Sequence, residues 1–179
     1  MNKYLFESER LGFRNWVDAD IPKMIAISSD PEVMEFFPAP ATPDQTTVFV
    51  QNMKAMFSEK GYCYLVVETL DNPQFIGFIG FYYQTYESAF TPCVDIGWRL
   101  HKHFWGQGFA TEGAKRCLEY AFKELKLTNV ISTAPAINLK SIRVMEKIGM
   151  KKLLDFRHPR LVNDERLVNC VCYEIATTV

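Results

Sequence analysis

The stretch Trp105-Gly106-Gln107-Gly108-Phe109-Ala110-Thr111-Glu112-Gly113 lies between a predicted strand and the most amphipathic helix predicted in the chain. Glycines at positions 106 and 108 remove side chains that would keep a ligand away from the main-chain N–H groups. The helix that begins after them directs its free N–H groups and the positive end of its dipole at the same place. The stretch therefore predicts a binding site for a phosphate or pyrophosphate group.

Two common nucleotide-binding loops do not fit this stretch. A Walker loop ends in Gly-Lys-Ser/Thr, and the stretch has no such ending. A dinucleotide fingerprint requires a third glycine three residues after the second, where this chain has Thr111. An ordinary glycine-rich turn without a ligand is the remaining alternative.

The segments around this stretch alternate between the periods of strands and helices. Residues 94–100 place apolar side chains at every second position and predict a strand, whereas residues 114–125 carry an apolar stripe at helical spacing. Thr42 and Gln45 predict the capped start of a helix that ends before Gly61. Further strands are expected over residues 10–16, 63–68, 75–83, 129–134, 152–156 and 168–175, and further helices over residues 22–27 (capped by Asp18 or Asp20), 30–37 and 139–148.

This order of elements indicates the fold class. Helices lie between strands, and hairpins are expected near both ends of the chain, which favours a mixed sheet flanked by helices. A chain of 179 residues is within the range of one domain. We therefore expect a single α/β (α+β mixed) domain that covers residues 1–179.

The composition excludes several classes of protein. The chain has 20 Lys and Arg residues against 21 acidic ones, and this balance argues against a nucleic-acid partner held by bulk positive charge. Apolar runs such as Leu65-Val66-Val67 are far shorter than the roughly 20 residues that a membrane helix needs. The first residues show no secretory signal, so we expect a cytoplasmic protein without a membrane partner.

The cysteines and histidines do not predict a metal site. Five cysteines are an odd number, and their irregular spacing indicates a reducing compartment rather than a disulfide framework. Cys170 and Cys172 lie on one face of a predicted strand, and His101 and His103 flank a lysine. Neither pair has the further ligands that zinc requires, so we expect no metal.

Four segments resemble a known family, and together they cover nearly the whole chain in the expected order. Residues 106–112 resemble the coenzyme A pyrophosphate loop of the GNAT superfamily of N-acetyltransferases, and residues 94–100 resemble the strand before that loop. Asn138-Leu139-Lys140-Ser141, followed by residues 146–150, resembles the family's Asn-x-x-Ser … Lys-x-Gly-Phe segment. Residues 8–14 resemble the opening strand of the branch that contains the ribosomal-protein-alanine N-acetyltransferases.

The resemblance implies where acetyl-CoA binds. The cofactor would be wedged between two splayed parallel strands, residues 94–100 and 129–134. Backbone groups of Trp98, Arg99 and Leu100 would pair with the pantetheine amides and polarise the thioester carbonyl. The pyrophosphate would be held by Trp105, Gly106, Gln107, Gly108, Phe109, Ala110 and Thr111.

The helix after the second splayed strand would complete this cofactor site. Asn138 and Ser141 would contact the pantetheine arm near the thiol. Lys102, Lys140 and Arg143 are candidates for binding the ribose phosphate.

Acetyl transfer needs a neutral amine as the nucleophile. At pH 7 the deprotonation of a lysine-like amine costs about 4.6 kcal/mol, whereas an α-amine costs about 1 kcal/mol. An enzyme that acts on α-amines can therefore use a weak base or a chain of water molecules.

Two proton-transfer residues of many family members are missing. Many members carry a Glu on the strand before the Asn, where this chain has residues 132–134, and a Tyr at the position of Met145. Asp95 is the preferred base, acting through water, and its alternative is a solvated or salt-bridged strand residue. Ser141 is the candidate proton relay to the departing thiolate, and its alternative is a helix cap. Glu112 is expected to stabilise its helix.

The acceptor is specified less well than the cofactor. Aromatic residues and His158 are candidates for lining its site, namely Trp16, Phe36, Phe37, Tyr82, Tyr83 and Tyr86. Analogy with the family suggests a protein N-terminus, and small amines, amino acids, polyamines and aminosugar antibiotics stay open. The alternative function is a CoA-binding regulatory module with weak or no catalysis. The sequence indicates no oligomeric state.

Overall fold

The computed structural model describes residues 3–177, which form eight strands and four α-helices. The strands are β1 (Phe6–Glu7), β2 (Leu11–Arg14), β3 (Tyr64–Thr69), β4 (Phe75–Gln84), β5 (Cys93–Leu100), β6 (Asn129–Pro135), β7 (Lys151–Arg157) and β8 (Asn169–Ala176). The helices are α1 (Ile21–Ser28), α2 (Pro43–Lys60), α3 (Phe109–Lys123) and α4 (Leu139–Lys147). The strands make one sheet in the order β1-β2-β3-β4-β5-β6-β8-β7, and the β5–β6 pair is parallel among antiparallel neighbours. The predicted mixed sheet flanked by helices is confirmed.

The start of α2 shows how local sequence sets an element. The Thr42 side chain accepts a hydrogen bond from the Gln45 N–H at 3.2 Å, and the Gln45 side chain accepts one from the Thr42 N–H at 2.9 Å. These reciprocal bonds satisfy N–H groups that a helix start otherwise leaves free. The predicted cap is confirmed, and the helix ends at Gly61 as expected.

Two local expectations before α2 are wrong. The helix expected over residues 30–37 is a series of turns, because Met34 donates to the carbonyl of Asp30 but the next bond runs from Phe37 to Met34. No side chain caps α1, because the Asp20 carboxylate is buried and binds the Arg14 guanidinium at 2.7 Å. The same carboxylate cannot both form a buried ion pair and cap the helix, and here it forms the ion pair.

The two faces of the sheet carry different helices. Ile79 of β4 lies beneath Gly113 of α3, so the residues that share its face point to α3. On the opposite face, Phe49 of α2 packs on the ring of Phe78 at 5.3 Å. The register pairs Trp98 with Ile79, so Trp98 lies on the α3 face. Residues 95, 97 and 99 of β5 point the other way and therefore face α2.

The sheet opens between its two central strands. β5 and β6 share a single registered pair, Asp95 with Ile131, and the Ser132 hydroxyl donates to the Ile96 carbonyl at 2.9 Å. Beyond this point the two strands diverge toward their carboxyl ends, and no further pair joins them among residues 3–177. The backbone groups that face each other across the divergence are therefore available to a ligand.

Candidate active site

A cavity of about 750 Å³ extends through the sheet where β5 and β6 diverge. On the α3 face it reaches Gly108 and Thr111, and on the α2 face it reaches Phe36 and His158. Its volume is within the range of small-molecule and cofactor sites. Two molecules that enter from opposite faces of the sheet can therefore meet at the divergence.

The glycine-rich loop forms the α3-side mouth of the cavity. Gly106 and Gly108 have φ angles of 72° and 83°, a left-handed conformation that side chains disfavour. Within residues 3–177 the N–H groups of residues 106 to 111 have no hydrogen-bond acceptor, and the first bond of α3 runs from Glu112 to Gly108. Unpartnered N–H groups at a helix start fit the oxygens of a diphosphate.

A turn at the start of the chain supports this loop from outside. The Glu112 carboxylate accepts hydrogen bonds from the Ser8 hydroxyl at 2.7 Å and from the Arg10 N–H at 2.8 Å. The Arg10 guanidinium also binds Glu112, donates to the Gln107 carbonyl at 3.2 Å and lies 4.3 Å from the Phe109 ring centroid. Glu112 is expected to stabilise its helix, and through these contacts it also holds the loop in position.

Helix α4 forms another wall of the cavity. The Asn138 side chain accepts a hydrogen bond from the Ser141 N–H at 3.1 Å and so caps the helix. Lys140 lies 4.7 Å from the ring centroid of Trp105, which joins α4 to the loop. The Trp105 indole donates to the Leu100 carbonyl at 2.9 Å, so that carbonyl already has one partner.

The predicted cofactor residues converge on this one cavity with a single exception. The cavity is lined by Trp98, Arg99, Leu100, Trp105, Gly106, Gly108, Phe109, Ala110, Thr111, Asn138 and Ser141. Gln107 is exposed outside the cavity, and its side chain donates to the His103 carbonyl at 2.7 Å. Among the candidate cations, Lys140 and Arg143 line the cavity, whereas Lys102 pairs with Asp30 at 2.8 Å and with Glu32 at 3.2 Å.

Asp95 lies at the floor of the cavity on the α2 face. It is 7% exposed, and its carboxylate accepts hydrogen bonds from the Tyr64 hydroxyl and from the Gln84 amide, both at 2.8 Å. Burial raises the pKa of Asp95 to about 6, although these two hydrogen bonds act to lower it. Among residues 3–177 no cationic nitrogen lies within 4.0 Å of this carboxylate. Asp95 is therefore neither solvated nor salt-bridged.

Tyr64 and Gln84 have no signal in the sequence. Tyr64 belongs to β3 and Gln84 to the end of β4, 31 and 11 residues from Asp95 respectively. Only the register of three adjacent strands brings their polar atoms together. Burial, with a smaller effect from Asp95, raises the pKa of Tyr64, which therefore stays a hydrogen-bond donor.

The aromatic candidates for the acceptor site separate into two groups. Phe36 and Phe37 line the cavity, and His158 lines it from the β7–β8 connection. Trp16 does not line it, because this residue is 3% exposed and its indole donates to the Tyr64 carbonyl at 2.6 Å. Tyr82, Tyr83 and Tyr86 lie outside the lining as well, and Met145 is buried at the position of the missing tyrosine.

At the α2-side mouth of the cavity, the β7–β8 connection is hydrogen-bonded to the turns between α1 and α2. Arg166, which precedes β8, donates to the Glu35 carbonyl and to the Phe37 carbonyl, the latter at 3.3 Å. These bonds connect the β7–β8 connection with the turns between α1 and α2. The mouth is thus closed on one side by two segments far apart in sequence.

Comparison with known proteins agrees with this geometry. The family model of the acetyltransferase (GNAT) domain matches residues 10–151. An uncharacterized N-acetyltransferase, YnaD of Bacillus subtilis, is 33% identical over 146 residues, which are 81% of each chain. A GNAT-family acetyltransferase from Bacillus anthracis superposes with a TM-score of 0.80 at 29% identity, over 95% of this chain and 96% of that chain. The ribosomal-protein-S5-alanine acetyltransferase from Vibrio fischeri shares the fold, with a TM-score of 0.76 at 16% identity over 96% of this chain and 95% of that chain.

The chain belongs to the GNAT family of acetyltransferases, as the resemblance predicted. It is an N-acetyltransferase that uses acetyl-CoA. No helix among residues 3–177 is long and apolar enough to cross a membrane.

Proposed function

We propose that this enzyme acetylates an α-amine, with acetyl-CoA bound on the α3 side of the sheet and the amine entering from the α2 side. The observation that carries this proposal is the cavity that joins the glycine-rich loop on one face to Asp95 on the other. The two substrates would meet only at the divergence of β5 and β6. A reaction confined to that opening is shielded from competing hydrolysis.

The loop residues would hold the diphosphate of acetyl-CoA. The free N–H groups of residues 106 to 111 and the dipole of α3 supply the positive potential that a diphosphate needs. Lys140 and Arg143 would bind the ribose phosphate, since both line the same mouth. Asn138 would act through its cap of α4, which positions Ser141 at the cavity.

Asp95 would accept the proton that the acceptor releases. The raised pKa of Asp95, about 6, leaves the carboxylate ionised at pH 7. This pKa is also close enough to neutral pH for the carboxylate to exchange protons with an amine. As the amine nitrogen forms its bond to the acetyl carbon, the carbon–sulfur bond breaks and the thiolate takes a proton, for which the Ser141 hydroxyl is the candidate relay from solvent. A base this weak suits an α-amine better than a lysine side chain.

The acceptor of the Vibrio fischeri protein is a ribosomal-protein alanine, and it supports a protein N-terminus as one candidate acceptor here. The fold alone does not choose between a protein N-terminus and a small amine. The acceptor is therefore the part of the proposal that an experiment has to decide first.

An acceptor screen tests the proposal. Purified enzyme is incubated with acetyl-CoA and a panel of N-terminal peptides, amino acids, polyamines and lysine side-chain analogues, and the acetylated products are identified by mass spectrometry. We expect products on α-amines. Products only on lysine side chains or polyamines would contradict the α-amine, and binding of acetyl-CoA without any product would contradict catalysis.

We also propose a reducing compartment, the cytoplasm, for this enzyme. All five cysteines are free thiols, and four of them are buried. Burial raises the pKa of Cys63 to about 12, which keeps that thiol protonated and unreactive. Such thiols serve as apolar packing groups.

A further inference from the structure

A guanidinium without a counter-ion lies on the acceptor side of the cavity. Arg99 of β5 donates one hydrogen bond, from Nη1 to the Ser28 hydroxyl at 3.1 Å, and its buried Nε has no acceptor. No carboxylate of residues 3–177 lies within 4.0 Å of it. Its other neighbours are aromatic, with the Phe37 ring centroid at 4.4 Å and that of Phe78 at 5.4 Å.

The other arginine enclosed by the core shows what a buried guanidinium ordinarily finds. Arg14 binds the carboxylates of Asp20 and Glu68, both at 2.7 Å. A shielded charge without such partners is unfavourable, since it loses hydration and gains no ion pair. Burial lowers the pKa of Arg99 to about 10, so its charge persists at neutral pH. Arg99 therefore offers charged donors that residues 3–177 leave unused.

We propose that Arg99 binds a carboxylate of the acceptor, so that the acceptor is an amine that also carries a carboxylate group. This inference rests on the proposed acetyl transfer and specifies its substrate class. The sequence resemblance had assigned Arg99 to the cofactor through its backbone. Its side chain points to the opposite face, because register pairs it with Phe78 beneath α2, so its backbone and its side chain can serve different ligands.

The geometry of β5 suits an acceptor of this kind. Asp95, Gly97 and Arg99 follow one another on the α2 face, so the first and third Cα atoms are about 13 Å apart along the strand. Gly97 has no side chain, the ring of Tyr64 lies over it, and all three residues line the cavity. An amine directed at the divergence near Asp95 would thus place a carboxylate a few bonds away within reach of the long Arg99 side chain.

The other charges of the acceptor side agree with an anionic group. Arg160 lines the cavity, 5.5 Å from the Tyr86 ring centroid, and has no ion-pair partner in the described part of the chain. The lining carboxylates are Asp95 and Glu32, and Glu32 already pairs with Lys102. A polyamine or an aminosugar would bring additional positive charges toward Arg99 and Arg160, which disfavours both classes.

The carboxylate can come from a free amino acid or from an acidic first residue of a peptide. Rates of acetylation are compared for L-phenylalanine against L-phenylalaninamide, and for two peptides identical except for Asp or Asn at the first position. The carboxylate stabilises the ammonium form of its neighbouring amine, so intrinsic reactivity favours the neutral member of each pair. We expect kcat/KM about 10- to 100-fold higher for the carboxylate member of at least one pair, from charge-assisted hydrogen bonds. The pair that shows this preference identifies the source of the carboxylate.

Substitution of Arg99 connects the preference to this residue. Arg99→Met should bring the ratio within the preferred pair to one or below, because intrinsic reactivity then favours the neutral member, whereas Arg99→Lys should keep part of the preference. Thermal melting and the dissociation constant of acetyl-CoA show whether each variant is folded. If Arg99→Met does not fold, the ratio of the native enzyme and its reduction in Arg99→Lys decide the proposal.

The outcomes separate this inference from the proposed function. Acetylation with no carboxylate preference in either pair, or a preference that persists in Arg99→Met, overturns the role of Arg99 and leaves acetyl transfer intact. Acetyl-CoA binding with no acetylation of any acceptor, including polyamines and lysine analogues, overturns the proposed function itself.

Discussion

The α3 side and the α2 side of the cavity are built in opposite ways. The α3 side consists mainly of two short segments, residues 105 to 111 and 138 to 141, and the N–H groups of residues 106 to 111 are free for a ligand. The α2 side is assembled from single side chains of β3, β4 and β5 and from the turns between α1 and α2. A cofactor common to a family can be bound by a local backbone motif, whereas an acceptor that differs between members needs side chains that can change independently.

Asp95→Asn should have the largest effect on the rate and should leave cofactor binding on the α3 side unchanged. The amide cannot accept a proton, so kcat should fall by about 10²-fold or more while the dissociation constant of acetyl-CoA stays unchanged. The native enzyme should lose activity as pH falls through about 6, because protonation of this raised-pKa carboxyl removes the base. Asp155→Asn, an exposed carboxylate paired with Lys152, is the control. A pH–rate profile identical in native enzyme and Asp95→Asn would remove Asp95 from proton transfer.

Gly108→Glu tests the α3 side in the same manner. Any side chain at φ 83° adds strain of about 1–2 kcal/mol, so Gly108→Gln is the matched control for shape and strain. An added Cβ would lie 3.5 Å from Arg10 Nη2, beside the loop that would bind the diphosphate, so the carboxylate should weaken acetyl-CoA binding about 10- to 100-fold relative to the Gln variant. Calorimetry at two salt concentrations measures this difference. Equal affinities would mean that the diphosphate lies elsewhere.

Tyr64→Phe should shift a pKa rather than abolish activity. It removes one of the hydrogen bonds that lower the pKa of Asp95, so the acidic limb of the kcat/KM profile should move upward by about one pH unit. At high pH the variant should approach the native rate. Tyr62→Phe is the control, since that ring packs against Phe81 away from Asp95. An unmoved limb in Tyr64→Phe would show that a different group sets the profile.

Arg166→Ala should have the smallest effect and should again distinguish the two sides. Loss of its hydrogen bonds to the carbonyls of Glu35 and Phe37 loosens the α2-side mouth. We expect KM for the acceptor to rise by about 3- to 10-fold, with acetyl-CoA affinity unchanged. Arg157→Ala is the matched control, because Arg157 is exposed at the end of β7 and does not line the cavity. A loss of acetyl-CoA affinity instead would indicate that the two sides are coupled.

The sequence predicted those elements whose cause is local. The capping box of α2, the strand alternation of β5 and the apolar stripe of α3 depend on spacings within one segment, and each is present in the structure. The helix expected at residues 30–37 and the cap expected at Asp20 are wrong for a shared reason. In both places a side-chain contact formed on folding outweighs the local preference. Arg166 donates to the carbonyls of Glu35 and Phe37, and Arg14 binds the Asp20 carboxylate.

The sequence by itself determined the family, the fold class and the segment that would bind a diphosphate, because backbone N–H groups at a glycine-rich helix start need no distant partner. Only the tertiary structure decided which side chains surround the acceptor. The environment of Asp95 depends on the register of three strands, and the direction of the Arg99 side chain depends on which face α2 covers. Such contacts join residues far apart in the chain, and no spacing within a segment encodes them.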